Sequence, residues 1–523
     1  MQNYYLGLDL STQQLKCTLI NEAHDIIWEN SVNFDKDLPE FMTRHGAIVS
    51  DNVVTSPTLM WVKAMDLLME TLKETPYVGS IRGISGAGQQ HGSVYWSKSG
   101  MNSLSTLDEK STLADQLKDA FAINQSPIWQ DASTTAECRA LEELVGGPAE
   151  LAKLTGSKAY ERFTGNQIAK IYRQNRNAFD ETTRINLVSS FLATLLLGEF
   201  SPVDAADGSG TNMMNIASHK WDERLLKQCG GEDLAEKLAK QPVEGGTVLG
   251  NISDYYVKRY GFDAECKIMP FTGDNSATLV SMNLKEGDCV VSLGTSDTVL
   301  VYLKKGAAST TESHLMAHPT DPDGFMGMLC YKNGSLAREF IRDEYAESNW
   351  DLFNDYLINK QAVLNDCIGF YYWMQEIIPF AKGIHRFEKN KDVNDFSDKT
   401  VNVKAIVESQ FMSMKIRLGR MGGNNVKRIL ASGGAAANPH ILQVLSNIFG
   451  LPVYRQKGMN GASLGGALLA KFALQNKSFE EMMAEYSSTE MDLICEPDLT
   501  KHKEYLNHVT QFTNLEASAI HNK

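Results

Sequence analysis

Three short runs rich in apolar residues open the chain, and polar turns separate them. The runs cover Tyr4–Asp9, Leu15–Ile20 and Ile26–Phe34. Short runs of this kind, bounded by turn-forming residues, are typical of β-strands. The first turn, Ser11–Gln13, consists of hydroxyl and amide side chains. The pattern therefore predicts a β-hairpin with a hydroxyl-rich turn, followed by a third strand.

The next predicted elements are a helix and a strand. After Pro57, large apolar residues recur at intervals of three and four positions, which predicts a helix with one apolar face. The residues of this face are Trp61, Met65, Leu68 and Leu72. A predicted strand over Ser80–Ser85 then runs into the glycine-rich segment Gly86–Gly92.

A similar order of elements returns in the second half of the chain. Strands are predicted over Asp288–Leu293 and Thr298–Leu303, with the small polar turn Gly294–Asp297 between them. An apolar stripe predicts a long helix over Val401–Leu418. A short strand, Arg428–Ala431, then leads into another glycine-rich segment.

The two halves also share short matching sequences in the same order. Leu10–Gln13 aligns with Leu293–Ser296, and Arg82–Gly88 resembles Arg428–Gly434. Strands that alternate with helices favour the α/β class, and the repeat predicts two such domains of similar topology. The predicted domains are residues 1–280 and residues 281–523.

Composition restricts the class of protein. The chain has 523 residues, of which 43% are apolar and 22% are charged, as in ordinary globular enzymes. Its net charge is −14, whereas nucleic-acid-binding proteins carry basic surfaces. The acidic balance also argues against binding to an anionic membrane surface. We therefore expect neither nucleic acid nor a membrane among the partners of this protein.

Other features of the sequence predict a cytoplasmic protein. The N-terminus, Met1–Leu10, lacks the basic and apolar regions of a secretory signal. The longest apolar stretch, Asn186–Gly198, is too short and too polar to span a bilayer. Eight cysteines are spread through the chain without a Cys-x-x-Cys pair, which is typical of reduced thiols in the cytosol.

The turn after the first strand is a candidate phosphate-binding loop. Asp9 ends the strand, and Ser11, Thr12 and Gln13 follow it. Successive backbone N–H groups in such a turn form an anion-binding concavity. The neighbouring carboxylate can hold Mg²⁺ directly or through water. The alternative interpretation is a hairpin turn in which the hydroxyl groups serve only as caps.

A second hydroxyl-rich turn, Gly294-Thr295-Ser296, occupies the matching place in the second half. Ser292 stands where the first half has an aspartate, so only the first turn offers a carboxylate to a metal. Two such loops that face each other across a cleft would clamp the β- and γ-phosphates of a nucleotide. An ordinary hairpin turn is the alternative here as well.

Asp274 is the candidate general base. It stands between Gly273 and Asn275 at the end of a predicted strand, just before the proposed domain boundary. An aspartate in this place can reach a substrate hydroxyl and take its proton during phosphoryl transfer. The alternative is an Asp–Asn turn or a helix N-cap.

Two glycine-rich segments are candidate ligand loops. In Gly86–Gly92, the run Gln89-Gln90-His91 offers hydrogen bonds of both senses to a polyol, and the glycine spacing does not match a dinucleotide-binding loop. In Ser432–Asn438, small residues allow a flat adenosine to approach the backbone closely. The alternatives are a strand-terminal loop with a surface histidine in the first segment and tight strand–helix packing in the second.

Several other sites are less specific or are excluded. Trp350 lies in a polar stretch, where it could stack on a ligand or simply bury its ring at the surface. The chain has no Gly-x-x-x-x-Gly-Lys-Ser/Thr motif, which excludes a P-loop protein, and no His-Arg-Asp or Asp-Phe-Gly motif, which excludes a protein kinase. His314 and His318 have no evident third ligand, so a zinc site is not expected there.

Taken together, these motifs resemble the FGGY family of carbohydrate kinases, which have the actin-like ATPase fold. The resemblance extends over nearly the whole chain, from Tyr4 to Leu474. The motifs, in the order of the family, are Asp9-x-Ser-Thr-Gln, Gly88-Gln-Gln-His-Gly, Thr272-Gly-Asp-Asn, Ser292-Leu-Gly-Thr-Ser and Ser432-Gly-Gly. The resemblance implies an α/β protein with two actin-like ATPase (ribonuclease H-like) domains that flank a central cleft.

The resemblance also implies a role for each motif residue. Asp274 would be the general base on the terminal hydroxyl of the sugar, and Asn275 would contact the sugar. His91 and Arg162 would bind a ketopentose, and Asp9 would orient Mg²⁺, mainly through water. The residues that would hold phosphate oxygens of ATP are Ser11, Thr12, Gln13, Gly294, Thr295 and Ser296. The residues that would line the adenosine site are Gly434, Ala435, Asn438 and Trp350.

Three stretches are most similar to the family members that phosphorylate D-xylulose: Gly88–Gly92, Glu161–Gln167 and Leu329–Arg342. The implied reaction is in-line transfer of the γ-phosphoryl group from Mg·ATP to the terminal hydroxyl of D-xylulose. Sugar contacts would come mainly from the first domain and nucleotide contacts from the second, in a monomer or homodimer. Two alternatives remain open. One is a kinase for another sugar or polyol, such as ribulose or glycerol, and the other is a catalytically inactive sugar-binding regulator with the same fold.

Overall fold

A computed structural model describes residues 2–304, 310–456, 461–484 and 491–521. The chain forms two compact units, each built from more than one segment. The first unit consists of Met1–Asn283, Leu315–Phe325 and Met459–Ser487, and the second of Leu284–His314, Met326–Gly458 and Ser488–Lys523. Among the described residues, no helix is both long enough and apolar enough to cross a membrane.

Strands and helices alternate along the chain, as the α/β class requires. The strands are β1 (Tyr4–Leu10), β2 (Gln14–Asn21), β3 (Ile26–Asn33), β4 (Ile48–Ser50), β5 (Val53–Pro57), β6 (Ile81–Gly88), β7 (Ser93–Ser97), β8 (Phe121–Ile123), β9 (Gln125–Pro127), β10 (Thr182–Leu187), β11 (Met214–Asn215), β12 (Lys220–Trp221), β13 (Gly250–Asn251), β14 (Lys267–Gly273), β15 (Asp288–Leu293), β16 (Asp297–Leu303), β17 (His314–Ala317), β18 (Phe325–Tyr331), β19 (Cys367–Tyr372), β20 (Gly383–Glu388), β21 (Lys391–Val393), β22 (Arg428–Ser432), β23 (Val453–Gln456) and β24 (Met491–Cys495). The α-helices are α1 (Phe34–Asp37), α2 (Thr58–Lys73), α3 (Lys98–Leu104), α4 (Leu113–Gln116), α5 (Thr135–Val145), α6 (Pro148–Thr155), α7 (Thr164–Gln174), α8 (Arg176–Glu181), α9 (Val188–Leu197), α10 (Ala205–Gly208), α11 (Glu223–Gly230), α12 (Leu234–Leu238), α13 (Asp254–Tyr260), α14 (Asp274–Ser281), α15 (Ser335–Tyr345), α16 (Trp350–Asn359), α17 (Val401–Arg420), α18 (Pro439–Phe449), α19 (Ala462–Ala473), α20 (Phe479–Ala484) and α21 (Leu499–His521).

A six-stranded sheet forms the centre of the first unit, with the strand order β13-β14-β6-β1-β2-β3. The predicted hairpin is present as the antiparallel pair β1–β2, and β3 pairs with β2. Strand β6 runs parallel to β1, and β14 runs parallel to β6. The parallel strands are apolar and nearly fully buried, as expected for a sheet with both faces covered.

The three parallel strands of this sheet end in one row. Leu10 lies opposite Gly88, and Gly88 lies opposite Gly273. The carboxyl ends of parallel strands share one edge of a sheet, and α/β proteins place their ligands there. The residues that follow this row on β1, β6 and β14 are Ser11, Gln89 and Asp274. The backbone ladder therefore brings three separate candidate motifs to neighbouring positions.

Helix α19 covers one face of the sheet and approaches the strands unusually closely. A Cβ atom on Gly7 of β1 would lie 1.8 Å from the Ser463 carbonyl oxygen, and one on Gly466 would lie 2.5 Å from Gly86 Cα. The hydroxyl groups of Thr18 and Ser463 are 2.8 Å apart across the same contact. Only glycine leaves room for this packing, so the glycines fix the position of the helix.

The position of α19 also shows that a single cut near residue 280 does not describe the two units. The described residues 461–484 pack with the first unit, although they follow most of the second unit along the chain. Residues 315–325 return to the first unit as well. The physical reason is that the β1–β6 sheet has two apolar faces, and local helices such as α2 and α9 cover only one of them.

The second unit repeats the strand arrangement of the first. Six of its strands lie side by side in the order β18-β16-β15-β22-β23-β24. Strands β15 and β16 form an antiparallel hairpin, and β22 runs parallel to β15 with Ser292 opposite Ser432. Strand β23 is parallel to β22. These four strands correspond in order and direction to β1, β2, β6 and β14, so the predicted repeat of a hairpin and a parallel strand is confirmed.

Candidate active site

Asp9 and Asp274 are the charged centre of the candidate site. Asp9 lies on β1 with only 7% of its surface exposed, and its Oδ1 atom has no hydrogen-bond partner among the described residues. Burial and the negative charge of Asp274 raise the pKa of Asp9 to about 7, and Lys16 on β2 opposes this shift. Burial also raises the pKa of Asp274 to about 6. Two carboxylates held in such surroundings favour a cation or a transferable proton nearby.

The donor set around Asp9 fits Mg²⁺ rather than a metal held entirely by protein. Within residues 2–304, 310–456, 461–484 and 491–521, no three His, Cys, Asp or Glu side chains are grouped so that they could hold a metal ion. Mg²⁺ in kinase sites typically uses one or two carboxylates and completes its shell with water and phosphate oxygens. The unpartnered Oδ1 atom of Asp9 matches that pattern.

The carboxylate of Asp274 is held by backbone N–H groups. Asp274 is the first residue of α14, and its Oδ1 atom accepts a hydrogen bond of 2.8 Å from the N–H of Asn275. The backbone N–H of Gln90 donates to the same carboxylate and opposes the rise of its pKa. The side chain of Asn275 in turn donates to Gln90 Oε1 at 2.8 Å. A Cβ on Gly273 would lie 2.6 Å from Gln90 Cγ, so glycine is needed for this contact.

His91 is buried, although one interpretation of the sequence placed it at the surface. Its ring stacks on Phe163 with the centroids 4.3 Å apart, and Nδ1 lies 2.8 Å from the carbonyl oxygen of Gly210. Burial, assisted by the charge of Arg162, lowers the pKa of His91 to about 3, so the ring is neutral. The guanidinium group of Arg162 lies over the rings of Tyr160 and Phe163. His91 and Arg162 are therefore neighbours, as a shared sugar site would require.

The Ser11–Gln13 turn has a tight base and accessible side chains. Ser11 closes the turn with its N–H and its hydroxyl, which both donate to the carbonyl oxygen of Gln14 at 3.0 and 2.9 Å. Thr12 accepts a hydrogen bond of 2.8 Å from the indole Nε1 of Trp129. Trp129 is 43% exposed, and sequence reasoning missed it because nothing in its own neighbourhood connects it with a turn more than a hundred residues earlier.

The matching turn of the second unit, Gly294–Ser296, is anchored by a buried ion pair. Asp297 accepts hydrogen bonds of 2.7 and 3.0 Å from Arg338, and both side chains are fully buried. The carbonyl oxygen of Gly294 accepts a bond of 2.8 Å from the N–H of Ser335 at the start of α15. Thr295 and Ser296 are exposed. The turn thus has a fixed base and exposed hydroxyl groups.

The Ser432–Asn438 segment lies beside that turn. Gly433 adopts a φ of +84°, and a Cβ on it would lie 2.5 Å from the carbonyl oxygen of Leu293. A Cβ on Gly434 would meet no atom of the described residues within 4 Å, and Ala435 is partly exposed, so this stretch borders open space. The small residues therefore leave both a close strand contact and room for a ligand.

Asn438 connects this segment to the helix that carries Trp350. Its Oδ1 atom caps α18 by accepting from the N–H of His440 at 3.0 Å, and its Nδ2 atom donates to Asn354 on α16 at 2.7 Å. Trp350 begins α16, is 39% exposed and has the guanidinium group of Arg342 4.7 Å from its ring. The predicted adenosine residues are therefore linked within one unit.

Two further buried acids lie next to the site and were not singled out from the sequence. Asp204 accepts a bond of 2.6 Å from Thr272, and Asp207 accepts one of 2.5 Å from Ser189. Burial raises the pKa of Asp204 to about 7 and that of Asp207 to about 8. A Cβ on Gly273 would lie 2.9 Å from Asp207 Oδ1, so this carboxylate borders the residue before the candidate base. The two acids precede β14 by many residues, and no local pattern predicted the contact.

Comparison with known proteins identifies the family of the chain. Residues 4–281 match the N-terminal domain of the FGGY family of carbohydrate kinases, and residues 289–474 match the C-terminal domain of the same family. A xylulose kinase of Rattus norvegicus is 46% identical over 471 residues, which cover 89% of this chain and 87% of that protein. A xylulose kinase of Schizosaccharomyces pombe is 40% identical over 534 residues, which cover 96% of each chain.

Solved structures agree in fold. The crystal structure of xylulose kinase from Rhodospirillum rubrum has a TM-score of 0.80 at 15% identity and covers 99% of both chains. The crystal structure of glycerol kinase from Plasmodium falciparum has a TM-score of 0.75 at 16% identity and covers 100% of this chain and 99% of that one. At these identities the likeness concerns the fold alone. The predicted α/β class with two actin-like ATPase domains is confirmed, and the chain belongs to the FGGY family of carbohydrate kinases.

Proposed function

We propose that this protein transfers the γ-phosphoryl group of ATP to D-xylulose and forms D-xylulose 5-phosphate. The observation that carries the choice of sugar is the 40–46% identity to xylulose kinases of rat and fission yeast over 89% of the chain or more. Membership of a carbohydrate kinase family supports ATP as the phosphoryl donor.

Asp274 is the proposed general base. It takes the proton from the terminal hydroxyl of the sugar as the hydroxyl oxygen attacks the γ-phosphorus of ATP. A pKa of about 6 suits this task, because the carboxylate is mostly ionised at neutral pH and still able to accept a proton. The N–H groups of Asn275 and Gln90 fix the direction in which the carboxylate points.

The first unit supplies the proposed sugar site. Neutral His91 and cationic Arg162 bind the ketopentose together with Asn275, whose side chain Gln90 holds in place. The hydrogen bond between His91 Nδ1 and Gly210 orients the imidazole. Orientation of this kind raises the rate because it holds the attacking hydroxyl in reacting geometry.

The residues proposed for the nucleotide belong partly to the first unit and partly to the second. The hydroxyl-rich turns hold the phosphate oxygens, and the proposed residues are Ser11, Thr12, Gln13, Gly294, Thr295 and Ser296. The open stretch beside β22 receives the adenosine, and the proposed residues are Gly434, Ala435, Asn438 and Trp350. Asp9 would hold Mg²⁺, mainly through water, and a bound ion would supply positive charge beside the phosphates.

The setting of the enzyme is also part of the proposal. We place it in the cytoplasm as a monomer or homodimer, with D-xylulose and ATP as its partners and without nucleic acid or a membrane. A net charge of −14 is compatible with an anionic substrate, because the loops and the metal act on the phosphates locally.

A substrate panel tests the proposed function. ATP-dependent ADP release is measured with D-xylulose, ribulose and glycerol, and D-xylulose should give the highest kcat/KM. Comparable or faster turnover of ribulose or glycerol would show that the enzyme is a kinase for another sugar or polyol. Binding of D-xylulose without turnover of any acceptor would identify an inactive regulator. Asp274→Ala serves as the blank, because it lacks the proposed base.

A further inference from the structure

Gln89 is a buried amide whose polar atoms are unengaged. The residue is 1% exposed, and in the part of the chain that the structure describes neither Nε2 nor Oε1 has a hydrogen-bond partner. Its backbone is well held, because the N–H donates to the carbonyl oxygen of Leu10 at 2.9 Å. Buried polar side chains in folded proteins are nearly always hydrogen-bonded, so an amide with both ends unpaired calls for a missing partner.

The position of Gln89 indicates that the missing hydrogen-bond partner binds in the candidate active site. Gln89 directly follows Gly88, the middle residue of the row formed by Leu10, Gly88 and Gly273. On one side of β6, strand β1 continues into the Ser11 turn, and on the other side β14 continues into Asp274. Strand β6 lies between β1 and β14, so Gln89 lies between the proposed phosphate turn and the proposed base.

The neighbours of Gln89 in the loop are already engaged. Gln90 Oε1 accepts from Asn275, and the N–H of Gln90 donates to Asp274. His91 uses Nδ1 for the carbonyl oxygen of Gly210. Gln89 is thus the polar residue of the loop whose side-chain donor and acceptor both stay available, although it is less exposed than Gln90 and His91.

The two open ends of the amide define the chemistry of the partner. A phosphate oxygen only accepts hydrogen bonds, and a metal-bound water mainly donates them, so either would leave one end unpaired. Hydroxyl groups do both. A vicinal pair of hydroxyls can donate to Oε1 from one oxygen and accept from Nε2 at the other.

We propose that Gln89 binds two adjacent hydroxyl groups of the sugar substrate and thereby contributes to sugar selection. This inference rests on the proposed function of the same site, which makes the sugar an acyclic ketose rich in vicinal hydroxyls. In D-xylulose the free adjacent pair next to the reacting end is formed by the hydroxyls on C3 and C4. A site built to pair a hydroxyl group discriminates strongly against an analogue that lacks it.

The test compares wild type with Gln89→Met, which keeps the length of the side chain and removes both polar atoms. Binding of the sugar without nucleotide is measured by calorimetry, and KM is measured for both substrates. We expect affinity for D-xylulose to fall about 10- to 100-fold and the KM for ATP to stay unchanged. The Tm should stay equal or rise, because an unpaired amide is replaced by an apolar group. Gln475→Met is the control, since Gln475, which follows α19, has another buried amide oxygen without a partner in the described ranges.

Deoxy analogues of the sugar supply the decisive comparison. The loss caused by Gln89→Met should shrink toward zero with 3-deoxy- or 4-deoxy-D-xylulose and persist with 1-deoxy-D-xylulose. An equal loss with all three analogues, an unchanged affinity for D-xylulose, or a lower Tm with unchanged affinity would overturn the inference. If wild type prefers another polyol, the same comparison with that polyol and its deoxy forms tests Gln89, so failure of the D-xylulose assignment is distinguished from failure of the inference.

Discussion

The charge of Asp274 adds to burial in raising the pKa of Asp9 to about 7. One carboxylate belongs to β1 and the other opens α14 after β14, and strand β6 separates the two strands in the sheet. The two groups therefore share surroundings in which a second negative charge is unfavourable. A cation at Asp9 relieves this repulsion, and so does a proton on Asp274. The proposed phosphoryl transfer includes both changes, because a metal ion binds with the phosphates and the base takes a proton from the hydroxyl group.

Replacement of the base should separate chemistry from binding. Asp274→Asn keeps the shape of the side chain but cannot take a proton, so we expect turnover to fall by about 100- to 10,000-fold while sugar binding partly survives. Steady-state kinetics and sugar calorimetry measure the two effects. Asp254→Asn, at an exposed acid on α13, is the matched control. Near-normal turnover of Asp274→Asn would refute the role of general base.

Replacement of Asp9 should act on the metal instead. Asp9→Asn removes the carboxylate whose buried Oδ1 atom has no partner in the described part of the chain, so the Mg²⁺ concentration for half-maximal activity should rise. Sugar affinity measured without nucleotide should stay as in wild type. The readout is a Mg²⁺ titration of activity at saturating sugar. An unchanged Mg²⁺ dependence would count against metal binding at this residue.

The pKa of Asp274 predicts an acid limit of activity. Burial raises this pKa to about 6, so the carboxylate becomes protonated as the pH falls through that value. We expect kcat/KM for the sugar to decrease below about pH 6. The raised pKa also means that the folded state binds this proton more tightly than the unfolded chain, so protonation of Asp274 does not itself favour unfolding. Circular dichroism should therefore report a folded protein where activity is already falling, and an acid limit below pH 5 would contradict the assignment.

The ion pair of Asp297 and Arg338 should be the most sensitive polar contact of the second unit. Both side chains are fully buried, and removal of one partner leaves an uncompensated charge. Asp297→Ala should lower the free energy of unfolding by about 3–5 kcal/mol, measured by urea denaturation. The exposed pair of Lys258 and Asp254 is the control, because its removal should cost at most about 0.5 kcal/mol. A loss below about 1 kcal/mol for Asp297→Ala would mean that the pair does not hold the turn.

The local elements were largely predictable from the sequence. Strand β15 occupies the predicted residues Asp288–Leu293, and α2 begins directly after Pro57. Strand β6 extends three residues beyond the predicted end at Ser85, because its glycines pair with β1 and β14 in the sheet. Hydrophobic periodicity and turn-forming residues reflect local backbone preferences, so they locate helices and strands well. They locate strand ends less well, because those ends also depend on pairing with other strands.

The surroundings of the site were less predictable. The sequence brought out Asp9 and Asp274 because each stands in a recognisable turn. Trp129, Asp204 and Asp207 reach the site only through tertiary contacts, and no periodicity encodes those. Burial of His91 likewise depends on Phe163, which is distant in sequence and directly precedes helix α7. The role assigned to each site residue stays a prediction until the variants are measured.

The return of α19 to the first sheet has a consequence for how the protein is made. A ribosome releases residues 1–283 long before residues 462–473, yet it is that helix that covers the glycine-lined face of β1 and β6. During synthesis the first unit therefore emerges with an apolar face uncovered, and its completion depends on a helix that appears after most of the second unit. A nascent chain of this kind gains from a chaperone that shields the face, and a premature stop before residue 462 leaves the site residues of the first unit on an unfinished domain.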